Sequence, residues 1–173
     1  MQAEHVRLRS LRKEDGKLLY QWITDRDLFI QNAPYKPVSE VEHEKWVESM
    51  LLEHSDLVFF VIEDLASSVA IGTCKLLNVN ALHRSAELQI RIGDESARGK
   101  GLGTEAVKLL LNFGFQDLNL HRIYLHVFKA NKRAVRAYEK CGFHHEGLLR
   151  QAAFIDGEWK DVNVMGILKT DEE

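Results

Sequence analysis

Apolar and polar positions change period several times along the chain, and each change predicts an element. His5 to Arg9 alternates as a short strand does, and Glu14 to Trp22 then shifts to helical spacing. Two prolines make Asn32-Ala33-Pro34-Tyr35-Lys36-Pro37 a loop. Beyond it His43, Trp46, Val47, Met50, Leu51 and His54 share one helical face, with Glu42, Glu44, Glu48 and Glu53 largely off it. The acids are either a solvated face or an attraction for a cationic substrate.

Leu57 to Ile62 and Val69 to Leu76, rich in β-branched and aromatic residues, predict an antiparallel hairpin turning at Leu65-Ala66-Ser67-Ser68. A third strand runs from Ser85 to Ile92, where Ala86, Leu88, Ile90 and Ile92 alternate with Glu87, Gln89 and Arg91, so Glu87 points away from the apolar row. Ala106, Leu109, Leu110 and Phe113 place a helix over Thr104 to Leu118, and Arg122 to Phe128 returns to strand character. A further helix spans about Asn131 to Cys141, with Asn131 as N-cap and Gly142 just past the end. Two closing strands hinge near Asp156-Gly157, and Asp171-Glu172-Glu173 reads as a frayed tail. Strand, helix, strand, helix between Ser85 and Cys141 implies a parallel crossover inside an otherwise antiparallel sheet. The fold class is mixed α+β.

Composition narrows the function. At 173 residues, with 2 Pro and 45% hydrophobic residues, the chain suits one domain (residues 1–173) and not a disordered or low-complexity class. A net charge of −3 argues against nucleic acid as partner, since phosphate neutralisation needs a basic surface. The longest apolar run, Leu57 to Ile62, is too short to span a membrane, and the first fifteen residues carry no apolar signal segment. Cys74 and Cys141 form neither a disulfide framework nor a zinc pattern, and the eight His lack ligand spacing, so a cytoplasmic protein without a metal is expected.

The chemistry concentrates in Arg98-Gly99-Lys100-Gly101-Leu102-Gly103, between a strand and a helix. Helix-start N–H groups lack intrahelical partners there and the dipole favours anions, so the segment is a phosphate cradle in principle. A Walker loop fails because Gly101 stands where a hydroxyl residue is needed. Gly101-Leu102-Gly103-Thr104-Glu105-Ala106 satisfies the dinucleotide G-x-G-x-x-A pattern, but no acid follows about 20 residues on.

Arg98 to Gly103 resembles the R/Q-x-x-G-x-G/A pyrophosphate loop of the GNAT N-acetyltransferase superfamily. Asn131 to Phe143 is similar to that family's N-x-x-A-x-x-x-Y-E-K-x-G-F helix. The likeness is strongest from Ala86 to Phe143, and the Arg7-Leu8-Arg9 strand and the C-terminal strands resemble the branch with ribosomal-protein N-terminal and spermidine acetyltransferases. It implies a mainly antiparallel central sheet with a splayed parallel pair, flanked by helices, an acetyl-CoA-binding core at about 85–143 and acceptor-recognition helices at about 14–54.

The resemblance also implies roles. Splayed strands leave unpaired amides, which the pantetheine arm of acetyl-CoA completes along Gln89, Ile90, Arg91 and Ile92. The pyrophosphate would rest on the amides from Arg98 through Gly99, Lys100, Gly101, Leu102 and Gly103 to Thr104. Arg98 is a ligand contact, Lys100 either a contact or a solvated lysine, Asn131 a cap, a cofactor contact or both, and Ala134 and Tyr138 further cofactor contacts on the same helix. An alkyl amine of pKa about 10.4 is neutral roughly once in a thousand at pH 7.4, about 4 kcal/mol of barrier, so a base matters. Glu87 is the candidate base, through water, against a plain surface carboxylate. Tyr138 matches the family tyrosine that protonates the leaving thiolate. Cys141 is read as structural and the transfer as direct. Spermidine enzymes of the branch carry an acidic cluster where this chain has Asn32-Ala33-Pro34-Tyr35-Lys36, which weakens the polyamine reading and leaves protein N-termini, lysines, amino sugars and aminoglycosides open. A homodimer is the family habit. The competing class is a non-catalytic coenzyme A-binding sensor or assembly subunit on the same fold, which would need neither Glu87 nor Tyr138.

Overall fold

The structure, a computed structural model, describes residues 1–30, 33–52 and 54–172, the side chain of Glu172 excepted. Asn32 and Glu53, both read from the sequence above, lie outside the described residues, as does Glu173. Seven strands form one sheet in the order β1-β2-β3-β4-β5-β7-β6: β1 Val6–Arg9, β2 Val58–Asp64, β3 Val69–Asn80, β4 Ser85–Ile92, β5 Arg122–Phe128, β6 His144–Ile155 and β7 Glu158–Leu168. Every neighbouring pair is antiparallel except β4 and β5, which run parallel and are joined through α4 (Leu102–Asn112). The mixed, mainly antiparallel sheet and the bounds of β4 and β5 are those the alternation predicts.

Strand parity sorts the sheet into two faces. Cys74, Leu76, Ala86, Leu88, Ile123 and Leu125 turn towards α4, which seats Ala106, Val107, Leu110 and Leu111 against them in the larger core. The opposite face carries a smaller cluster of Leu19, Trp22, Leu28, Val61 and Ala70 beneath α1 (Gly16–Thr24), α2 (Arg26–Phe29) and α3 (Glu40–Met50). Trp22 fixes where α1 sits: a Cβ on Gly93 would lie 2.1 Å from its ring, so only glycine lets the indole close over the end of β4.

A buried charge network fastens the start of α1 to the sheet. Arg9 grips Asp15 through two hydrogen bonds of 2.7 Å and reaches Glu63 at 2.6 Å, while Arg7 bonds the other oxygen of Glu63. Burial pushes Glu63 and Asp15 up, but hydrogen bonds from the arginines, Arg9 foremost, outweigh it and hold both below the ordinary carboxylate range.

Three local expectations change. The helical stripe from His43 to His54 ends early, because α3 stops at Met50 and only His43 and Val47 are buried, leaving Trp46 and Leu51 at the surface. α4 gives way at Phe113–Asp117 to a π turn rather than running on as an α-helix to Leu118. The tail is not frayed at Asp171: Lys169–Glu172 forms a 3-10 turn, and Asp171 accepts from the Leu168 amide at 2.8 Å.

Candidate active site

β4 and β5 pair only at Ser85–Arg122, Ala86–Ile123 and Glu87–Tyr124. Each then continues against its outer neighbour, β4 on β3 as far as Ile92 and β5 on β7 as far as Phe128, so the inner edges part. Unpaired backbone groups along such an opening require partners. Two chambers meet at it, one of about 890 Å³ and one of about 510 Å³, sharing Ile90, Arg91, Phe128 and Tyr138 as common walls.

The larger chamber runs to the N-terminus of α4. Gly101 caps that helix at φ +85° with no side-chain cap, and Gly99 precedes it at φ +79°, so the first-turn amides face outward without competition. Of the residues singled out in the sequence, Ile90, Arg91, Ile92, Arg98, Gly99, Gly101, Gly103, Thr104, Asn131, Ala134 and Tyr138 line this chamber. Gln89 instead lines the smaller one. Lys100 is exposed outside both walls, and Leu102 packs against the core.

Two of these side chains are already engaged. The Arg98 guanidinium donates to the carbonyls of Ile92 at 3.3 Å and Gly93 at 3.1 Å, bracing the loop against the end of β4. Asn131 accepts from the Ala134 amide at 3.1 Å, which makes it the N-cap of α5 (Lys132–Glu139). Arg133, Arg136 and Lys140, spaced i, i+3 and i+7 along and just past α5, add positive charge to the chamber. Sequence reasoning passed over them, although their spacing was visible.

The smaller chamber opens on the face beneath α1 to α3. Glu87 sits where the parallel pairing ends, and one of its carboxylate oxygens lies 3.0 Å from Nδ1 of His126. His126 was not foreseen; its even spacing from Arg122 and Tyr124 was the one available signal, and the register with Glu87 is a tertiary fact. Trp22, Phe29, Trp46 and Phe59 wall the chamber, and Lys75 and Arg91 enter it from β3 and β4. The exposed acids Glu42, Glu44 and Glu48 do not, since Trp46 alone represents α3 there, so among the described residues they are a solvated face.

Tyr138 stands between the chambers with its phenol pushed up to about 12, by burial first and then by nearby Cys141. Burial likewise raises the Cys141 thiol to about 11, and its Sγ lies 3.7 Å from the Thr104 carbonyl. Such a thiol is a poor nucleophile at neutral pH, because the thiolate is the reacting form.

A breached parallel pair leading to an uncapped, glycine-lined helix start suits a thioester on a long amide-bearing arm that ends in a diphosphate, which defines a coenzyme A-dependent acyltransferase. Comparison with known proteins specifies it: residues 5–144 match the model of the acetyltransferase (GNAT) domain. The chain belongs to the GNAT family and is an acetyl-CoA-dependent N-acetyltransferase that moves acetyl to a primary amine. It is 36% identical over 165 residues to a spermidine N(1)-acetyltransferase of Vibrio cholerae, covering 94% of this chain and 92% of that protein. A crystal structure of spermidine N-acetyltransferase from the same organism, in complex with CoA and spermine, superposes with a TM-score of 0.87 at 36% identity, covering 96% of each chain. A dodecameric structure of that enzyme gives 0.83 at 35% identity, covering 96% of this chain and 95% of that one. Among the described residues no helix is long and apolar enough to cross a membrane, and no cluster of metal-ligating side chains forms.

Proposed function

We propose that residues 1–173 act as one catalytic domain in which the larger chamber takes acetyl-CoA, the smaller takes the acceptor amine, and the chemistry occurs at their shared wall. The observation that carries this is the opening between β4 and β5, onto which both chambers and Tyr138 face. Acetyl-CoA supplies the activated acetyl group. The backbone of Gln89 to Ile92 holds the pantetheine amides, the loop from Arg98 to Thr104 receives the diphosphate on its amides, and Arg133, Arg136 and Lys140 add charge nearby. Arg98 serves by bracing this loop, through its bonds to Ile92 and Gly93.

Glu87 takes the proton from the acceptor ammonium, with His126 holding one carboxylate oxygen and leaving the other for the chamber. Tyr138, with its phenol near 12, stays protonated throughout the working range and donates a hydrogen bond to the sulfur as charge develops there. Direct transfer agrees with the high thiol pKa of Cys141. The helices between about 14 and 54 recognise the acceptor, since Leu19, Trp22, Phe29 and Trp46 line its chamber.

A free-thiol release assay with acetyl-CoA and a panel of polyamines, peptides, amino sugars and aminoglycosides tests the reading. Thiol release that needs both substrates supports it, and a chain that binds acetyl-CoA but transfers to nothing is the sensor of the competing class. The relatives are named for spermidine, so polyamines stand in the panel beside the other amines. Self-association through the edge strand β6 is also proposed, because Leu148, Leu149 and Phe154 are exposed along it with Trp159 beside them. A monomer by light scattering at micromolar concentration would refute that. Both cysteines are free and buried, in keeping with a cytoplasmic location, which fractionation of the producing cells tests.

A further inference from the structure

The chamber assigned to the acceptor contains more positive than negative charge. Lys75 projects from β3 and Arg91 from β4 on the face that also carries Glu87, because Lys75 is in register with Gln89 and Thr73 with Arg91. Among the described residues Glu87 is the only acid lining this chamber, and its hydrogen bond goes to His126. Neither Lys75 nor Arg91 makes an ion pair or a hydrogen bond with a carboxylate among the described residues; Glu87 acts on Lys75 only through its charge. The Nε of Arg91 is buried without a hydrogen-bond partner, and its guanidinium carbon lies 4.4 Å from the centroid of the Phe29 ring.

Two cations sharing one partly dehydrated space repel each other. Burial, followed by the charge of Arg91, holds the Lys75 ammonium below its ordinary value against the opposing pull of Glu87, and burial lowers Arg91 as well. An anion entering beside the two would supply hydrogen-bond acceptors and the countercharge that Glu87 alone does not provide for both. A linear polyamine, with a second and third ammonium to place, would meet two like charges instead.

We propose that the acceptor is a primary amine carrying an anionic group, a carboxylate or a phosphate, which Lys75 and Arg91 bind while Glu87 faces the amine. This rests on the assignment of the smaller chamber to the acceptor and names the acceptor's class. Strand geometry sets the scale: Lys75 is one strand over and two residues along from Glu87, roughly 8 Å between backbones, and Arg91 is four residues along, roughly 13 Å. The amine and the anion are therefore separated by a short chain rather than sharing one carbon. In the reaction the ammonium gives one proton to Glu87, which passes it to solvent, the neutral nitrogen bonds the acetyl carbon as the carbon–sulfur bond breaks, and the second nitrogen-borne proton reaches the departing sulfur, so that free thiol and an N-acetylated anion leave.

The test uses matched acceptors in the thiol-release assay: ω-amino carboxylates and aminoalkyl phosphates of three to six carbons, the alkylamines of equal length, and putrescine and spermidine. The expected result is a kcat/KM at least tenfold higher for an anionic acceptor than for its uncharged-tail analogue, with the diamine below both. Carboxylate and phosphate arms tell which anion the pair prefers. Lys75→Gln and Arg91→Gln should each lower that preference several-fold, and Lys75→Glu should reverse it towards the diamine. Preference for the diamine in the unaltered protein, or equal rates for anionic and uncharged tails, would overturn the proposal. If no acceptor releases thiol, the transferase reading fails by itself, and calorimetry with the unreactive alkyl phosphonates in the presence of CoA decides this one. Heat abolished by Lys75→Gln supports it, and no heat overturns it.

Discussion

Replacing Glu87 by Gln separates proton transfer from positioning. The amide keeps the shape of the side chain and an oxygen for His126, 3.0 Å away at the end of the β4–β5 pairing, but it cannot take a proton from an ammonium ion. Without a base only the neutral amine reacts. For an alkyl amine of pKa about 10.4 that is roughly one molecule in a thousand at pH 7.4, or about 4 kcal/mol. The expected loss in kcat/KM at pH 7.4 is therefore about 10²- to 10³-fold, at the scale of general-base contributions. The pH dependence is the sharper prediction. The substituted enzyme should gain about tenfold per pH unit as the free amine grows, so the deficit should shrink to about tenfold by pH 9.4. With an α-amine of pKa near 8, the same arithmetic gives only about fivefold at pH 7.4. The thiol-release assay run from pH 7 to 9.5 reads this directly. A deficit that is the same at every pH would show that Glu87 positions the acceptor without moving a proton, and no deficit would make it a surface carboxylate.

Tyr138→Phe should lower kcat about 10²-fold, the scale of one hydrogen bond to charge developing in the transition state, with acetyl-CoA affinity by calorimetry unchanged. Gly101→Ala places a side chain at φ +85°, where its Cβ meets no protein atom within 4 Å; the strain of about 1–2 kcal/mol should weaken acetyl-CoA binding while the fold persists by circular dichroism. Arg9→Met strands the buried carboxylate of Asp15 and leaves Glu63 with Arg7 alone, an expected cost of about 3–5 kcal/mol that a thermal melt would read as a Tm lower by roughly 6–20 °C. Both carboxylates are depressed in the folded protein, so their contribution is present above their unfolded pKa values near 4 and is lost as pH falls through the folded ones. Acid titration of the unaltered protein should show this limb, and in Arg9→Met it should be blunted.

Much of the framework was legible in the one-dimensional pattern because each of those features is local. The alternation of Ala86, Leu88, Ile90 and Ile92 bounds β4 correctly, since one buried face suffices to impose period two, and Arg122 to Phe128 does the same for β5. Asn131 announces the start of α5 because a cap acts within three residues, and Gly99 and Gly101 announce the loop because only glycine is at ease at their φ. α2 escaped notice because Arg26–Phe29, four residues, is too short to show a helical period, and α3 ended before His54 because a periodic stripe says nothing about where packing ceases. What the chain could not disclose by itself is which side chains face one another across strands. The pairing of Glu87 with His126 and the meeting of Lys75 with Arg91 depend on register between segments up to 39 residues apart. Periodicity records only whether a residue is buried within its own element; sheet order and strand register decide what it is buried beside.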